Sequence, residues 1–161
     1  EYAYMYARSF ITGRWRIAEQ FIIKDPQHSY HYIYDIVGGR LEEAEEHIMK
    51  DGYYSYLYAE NIIKGRWKEA EPVILTSAEN AYYYSKNVIK GRWIEAEDII
   101  MKDSYYNCLY ALLVIKNEWR EAEEYINESC TFKKHYENEF YKGEDLSNIR
   151  LARDVSKLFV F

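Results

Sequence analysis

Cysteine is nearly missing from this sequence: Cys108 and Cys130 are the only two in 161 residues. Two cysteines make no disulfide framework, and no spacing elsewhere matches theirs. No apolar run approaches the roughly 18 to 20 residues that cross a membrane, and no signal peptide is visible. A soluble, cytoplasmic protein is the plain expectation. Positive charge is not in excess either. The net charge is −6 with the two signs interspersed, which lacks the basic footprint of a nucleic-acid binder. It is also too small and mixed for an acidic DNA mimic. The glycines stand singly or at recurring corners, so there is no glycine-rich phosphate loop. No Met opens the chain, and Glu1 falls in mid-repeat, as in a trimmed form or a segment of a longer array.

What is abundant is tyrosine, with 19 copies against 6 Phe and 4 Trp in a chain that is 48% hydrophobic. That apolar content is enough for one ordinary domain with a core. A phenol packs like Phe but carries a hydroxyl that wants a partner, which suits thin structures with many half-buried positions. The order of residues is more telling than the composition. "IKGRWKEAE" at Ile63–Glu71 returns as "IKGRWIEAE" at Ile89–Glu97. Related versions open at Ile11, Val37 and Ile115, so Gly13, Gly39, Gly65, Gly91 and Asn117 stand 26 residues apart.

With Glu1 as position 1 of this period, position 6 is Tyr6, Tyr32, Tyr58, Tyr84, Tyr110 and Tyr136. Positions 10 and 11 are apolar or aromatic and positions 3 and 7 mostly small, the spacing of one face of a helix. That helix is about 13 residues long. Asp25, Asp51, Ser77, Asp103 and Ser129 mark its starts as N-caps, since their oxygens accept from the first free N–H groups. Gly13, Gly39, Gly65 and Gly91 are expected to supply the left-handed residue that ends it. A shorter helix follows, with Trp or Leu, then Ala, then Ile as its inner stripe at i, i+3, i+7. Pro72 predicts a late start or a bend in one copy, and Gly38 and Gly52 a looser second repeat.

Two helices joined by a two-residue turn cannot bury their apolar faces alone, whereas stacked neighbours can. The expected fold class is all-α: an α-solenoid of five clear 26-residue helical-hairpin repeats, a degenerate sixth and a C-terminal cap helix. Residues 1–130 form the tandem array, and 131–161 the worn repeat and cap of the same domain. Ile149, Ala152, Val155 and Phe159 mark one face of that last helix, ahead of the ending "LFVF".

The Gly-Arg-Trp-x-Glu-Ala-Glu corner, with its Lys-Asp exit and Tyr-rich next helix, resembles the tandem helical repeats of uncharacterised bacteriophage proteins. The resemblance covers residues 1–130 and departs at Leu41, at Asn117-Glu118 and through the tail. It implies a phage or prophage origin and action in a bacterial cytoplasm, and it carries over no catalytic residue.

Arg14, Arg40, Arg66 and Arg92 recur with Glu19, Glu45, Glu71 and Glu97. Such repetition suits structural ion pairs far better than catalysis. His28, His31 and His47, with Asp35 or Glu43, lack the spacing of a tetrahedral metal site. Serines, histidines and acids form no distinctive nucleophile arrangement. Neither an enzyme nor a cofactor is expected. The positions left free by the repeat hold large, variable side chains on one helical wall: Tyr54, Leu57, Asn61, Tyr83, Asn87, Tyr106, Leu109 and Leu113. Tyrosine offers contact area at low entropy cost, so this wall suits protein binding. Packing between repeats is the competing use of the same residues. The expected role is a protein-binding scaffold, a phage accessory factor that inhibits a bacterial host or defence protein. The alternatives are a self-assembling structural protein of a phage, and so a homo-oligomer, and, disfavoured by charge, a single-stranded nucleic-acid binder.

Overall fold

The structure is a computed structural model that describes residues 2–11 and 13–141. Among these, every regular element is a helix, and the chain is all-α. Counted together with the π-helical turns that continue them, longer helices alternate with shorter ones. The longer are α1 (Tyr2–Phe10), then α3 (Pro26–Tyr32), α5 (Gly52–Tyr58), α7 (Ala78–Tyr83) and α9 (Tyr106–Tyr110). Between them lie α2 (Arg16–Ile22), α4 (Glu42–Ile48), α6 (Glu71–Ile74) and α8 (Ile94–Ile100). The chain then runs through α10 (Glu123–Ser129) to α11 (Lys133–Phe140). Each longer helix from α1 to α9 packs against the next longer one, with a shorter helix tucked between.

From α3 onward, the four longer helices up to α9 do not end as α-helices. They widen into π-helical turns at Ile33–Val37, Ala59–Ile63, Tyr84–Ile89 and Ala111–Ile115. The next residue's N–H then reaches five residues back, as from Lys64 to Ala59 and from Lys116 to Ala111. This corrects the expected role of the corner glycines. The left-handed residue is one place earlier: Gly38 at φ 71°, Lys64 at 57°, Lys90 at 59° and Lys116 at 57°. Gly13, Gly39, Gly65 and Gly91 do not have a left-handed φ, and a Cβ on any of them would meet nothing within 4 Å. The wide last turn shifts the reversal onto the preceding residue. No contact explains why glycine recurs after it.

Three of the five expected starts follow side-chain chemistry, whereas Ser129 ends α10 and Phe132 stands at the N-cap of α11. Asp25 accepts from the His28 N–H at 2.9 Å, Asp51 from Tyr53 and Tyr54, and Asp103 from Tyr105 and Tyr106. Ser77 occupies the N-cap position of α7 without a side-chain bond. Upstream of α6, Lys68–Ala70 forms a 3₁₀ turn, and Pro72 falls in the first turn of α6, where its missing N–H costs nothing. The same 3₁₀ turn recurs at Arg120–Ala122 without a proline, so the proline is not its only cause.

Ala18, Ala44, Ala70, Ala96 and Ala122, with Ile22, Ile48, Ile74, Ile100 and Ile126, form the buried stripe of the shorter helices. Gly52 is not a loosening residue. A Cβ there would lie 2.6 Å from the Val73 carbonyl oxygen, so glycine lets α5 approach α6. A second correction concerns cysteine. Cys108 and Cys130, 22 residues apart, are joined in a disulfide with their Cα atoms 6.1 Å apart. The return of the chain through α10 creates a proximity that linear spacing does not show. Within the expected worn repeat, α11 is described. The expected cap helix and the "LFVF" ending lie outside the described residues.

Candidate interaction surface

The site begins with the tyrosine at position 6 of the period, because it fixes the wall that the other residues share. Its ring lies against the tryptophan nine residues on: Tyr58 on Trp67, Tyr84 on Trp93 and Tyr110 on Trp119, each with centroids 5.1 Å apart. Its hydroxyl reaches back to the preceding corner and accepts a backbone N–H there. Trp15 donates to Tyr32 at 2.8 Å, Leu41 to Tyr58 at 3.0 Å and Trp67 to Tyr84 at 2.6 Å. Trp93 donates to Tyr110 at 2.7 Å and Trp119 to Tyr136 at 2.9 Å. Each of these N–H groups precedes a helix and has no partner within it, so the phenol satisfies a group that burial would otherwise orphan.

The same hydroxyl donates to the corner glutamate. Tyr32 bonds Glu19 at 2.9 Å, Tyr58 bonds Glu45 at 3.2 Å and Tyr84 bonds Glu71 at 3.3 Å. Each glutamate is also held in a two-pronged clasp by the arginine five residues earlier. Arg14, Arg40, Arg66 and Arg92 donate through Nε at 2.5–2.6 Å to Glu19, Glu45, Glu71 and Glu97. Arg92 also lies 3.5 Å from Glu121 of the next corner, and Arg66 3.9 Å from Glu95. Arg14 holds the Glu19 carboxyl below its usual range. Burial pushes the Tyr32, Tyr84 and Tyr110 phenols up to about 12. The fifth corner is rebuilt, because Glu118 stands where the arginine would be. Arg120 turns back to Glu118 at 2.9 Å, and the Tyr141 hydroxyl donates to Glu123.

The wall expected from the sequence divides in two. Asn61 donates to the Tyr30 hydroxyl at 3.0 Å, and Asn87 to Tyr56 at 2.9 Å, so both tie neighbouring helices together. Leu57 and Leu109 are half-buried against the core, while Leu113 is 44% exposed. Tyr54, Tyr83 and Tyr106 are half-buried members of a longer aromatic ridge. Two exposed tyrosines on that ridge escaped the sequence reading: Tyr53, 48% exposed, and Tyr105, 46% exposed. They stand at position 1 of the period, where Glu1, Gln27 and Glu79 conceal any pattern.

The charge around the two tyrosine sets differs. The corner phenols Tyr32, Tyr58, Tyr84 and Tyr110 each feel an arginine. On the ridge, burial first and then neighbouring carboxylates raise Tyr54 (Asp51, Asp25), Tyr56 (Glu60) and Tyr106 (Glu79).

His28 Nδ1 lies 2.8 Å from Asp25, and His47 Nδ1 3.1 Å from Lys50. Among the described residues, no three metal-ligating side chains come together, and no helix is long and apolar enough to cross a membrane. The chain finds no match among protein-family models, curated proteins or solved structures.

Proposed function

We propose that this chain is a non-enzymatic scaffold for protein–protein contact, an α-solenoid of five clear 26-residue modules with a worn sixth. The observation that carries the reading is the combination of a repeated lock and a varied wall. One set of residues (Tyr, Trp, Glu and Arg) joins successive corners, while the aligned wall positions change from module to module. A wall held in this way presents contact area at little ordering cost, which suits stoichiometric binding. Given the repeat's resemblance to phage proteins, the specific reading is a phage accessory factor that inhibits a bacterial host or defence protein in the cytoplasm.

The test is capture from nuclease-treated bacterial lysate on the immobilised chain. The control is a Tyr54→Ser, Tyr83→Ser, Leu109→Ser variant shown to be equally helical. One protein retained in stoichiometric amount by the parent and lost by the variant supports the reading. Recovery of nothing, or of the chain alone, counts against it in that host.

Self-assembly is the second reading, favoured by α1. Tyr2 is 88% exposed and Phe10 71%, beside Met5 and a Tyr6 that is half exposed where its later counterparts are buried. Concentration-dependent oligomers in sedimentation would favour it.

A further inference from the structure

The aromatic ridge has a continuity that no single module explains. Tyr4 lies 6.3 Å from His31, His31 lies 6.1 Å from Tyr54, and Tyr54 touches Tyr53 at 5.3 Å. From Tyr53 the contacts pass to Tyr56 at 6.4 Å and on to Tyr83 at 6.0 Å. Tyr83 lies 6.2 Å from Tyr106, Tyr106 lies 5.0 Å from Tyr105, and Tyr105 lies 5.3 Å from Phe132. The rings therefore connect α1 to the start of α11 across the N-terminal halves of the longer helices.

Packing alone accounts for the buried members, such as Tyr56 and Tyr82. It does not account for Tyr53 and Tyr105, which leave about half of their surface in solvent. Both are at the outer edge of the ridge, each beside an aspartate, Asp51 or Asp103, that caps the helix. After burial, Glu79 raises the Tyr106 phenol and Glu60 the Tyr56 phenol, which places a carboxylate near each ring. Among the described cations, Lys86 lies 5.6 Å over the ring of buried Tyr82, and Arg8 acts on Tyr4 at the α1 end of the ridge. The outer edge thus joins half-exposed phenol rings to carboxylates. π faces attract cations through the ring quadrupole, most strongly guanidinium, which also stacks and forms paired bonds with carboxylates.

We propose that this ridge docks an arginine-bearing segment of a partner protein, laid across the helices with guanidinium groups on Tyr53 and Tyr105 and within reach of Asp51 and Asp103. The proposal rests on the scaffold reading and specifies the partner's chemistry. Charge complementarity selects this occupant: a phosphate backbone would meet the same carboxylates unfavourably.

The test uses the full chain and four labelled probes followed by fluorescence anisotropy: (Arg-Gly)6, (Lys-Gly)6, (Glu-Gly)6 and dT12. The expected order is Arg-Gly tightest, Lys-Gly weaker, and the two anionic probes unbound. Tyr53→Ser and Tyr105→Ser leave net charge unchanged, and each weakens Arg-Gly by about threefold, the double variant by about tenfold. Each variant also loses ring contacts to its neighbours, so binding is compared at a temperature where circular dichroism shows parent and variants equally helical. Equal binding of Arg-Gly and Lys-Gly that the tyrosine variants do not alter is attraction to net charge alone, and overturns the proposal. Tighter binding of dT12 overturns it in favour of nucleic acid. Lysate capture separates the two levels. A partner still held by the double variant leaves the scaffold reading standing and removes the ridge; a parent that captures nothing fails the scaffold reading, while the peptide titration still reports on the ridge.

Discussion

At the scale of single residues, the corner sets a buried hydrogen bond against an exposed ion pair. Removing the Tyr84 hydroxyl leaves the Trp67 N–H buried without a partner, and such an orphan costs about 1–3 kcal/mol. Arg66 clasps Glu71 with a side chain 40% exposed, and pairs of that kind contribute at most about 1 kcal/mol. Tyr84→Phe is therefore expected to destabilise the fold by about 1–3 kcal/mol, and Arg66→Gln by less than about 1 kcal/mol, in urea unfolding. An arginine change as costly as the phenol change would reverse that ranking. The corner backbone offers a second contrast. Lys90 holds a left-handed φ of 59°, whereas Gly91 does not and has open space around it. Lys90→Gly should raise stability by a few tenths to about 1 kcal/mol, and Gly91→Ala should change it by less than about 0.5 kcal/mol. If the alanine is the damaging change, the turn has been placed one residue too early.

At the scale of helices, the period and the acidic N-caps made the all-α architecture legible. Apolar residues at i, i+3 and i+4 and aspartates before them are local signals, and helix formation is a local event. The widened last turn was not legible, because the left-handed residue is lysine in three corners and lysine carries no mark of that conformation. The service of the tyrosine hydroxyl was also hidden. The recurrence of Tyr shows that the ring matters, but the N–H it satisfies lies 17 residues back and becomes a neighbour only once helices stack. The disulfide was hidden for the same reason. Breaking it tests how α11 is held: Cys108→Ser with Cys130→Ser should cost about 2–4 kcal/mol and speed amide exchange in α11 more than in α5. Gly52→Ala tests another contact between elements. Its Cβ would press on the Val73 carbonyl, so the midpoint should fall, in contrast to the usual gain from replacing glycine in a helix.

At the scale of the whole molecule, the repeated phenols give a common pH response. An unfolded tyrosine ionises near pH 10, but Tyr32, Tyr84 and Tyr110 are raised to about 12 in the fold. The unfolded state loses these protons first, so their contribution is intact below about pH 10 and is lost as pH rises through about 12. A urea midpoint that is steady to about pH 9.5 and then falls steeply is expected; a flat profile to pH 12 would count against the buried phenols. Glu19 works in the other direction. Its carboxyl is lowered by Arg14, so its contribution is present above about pH 4.5 and fades as pH falls below that.

The varied wall depends on the repeated lock, and the lock is best read at the backbone N–H groups of Trp67, Trp93 and Trp119. These groups lie outside regular helix and are held by the phenols of Tyr84, Tyr110 and Tyr136. Amide hydrogen exchange on the intact chain is the measurement. All three should exchange as slowly as the helix interiors, and Tyr84→Phe should release Trp67 first. Exchange of these amides at the rate of an open loop would contradict the lock.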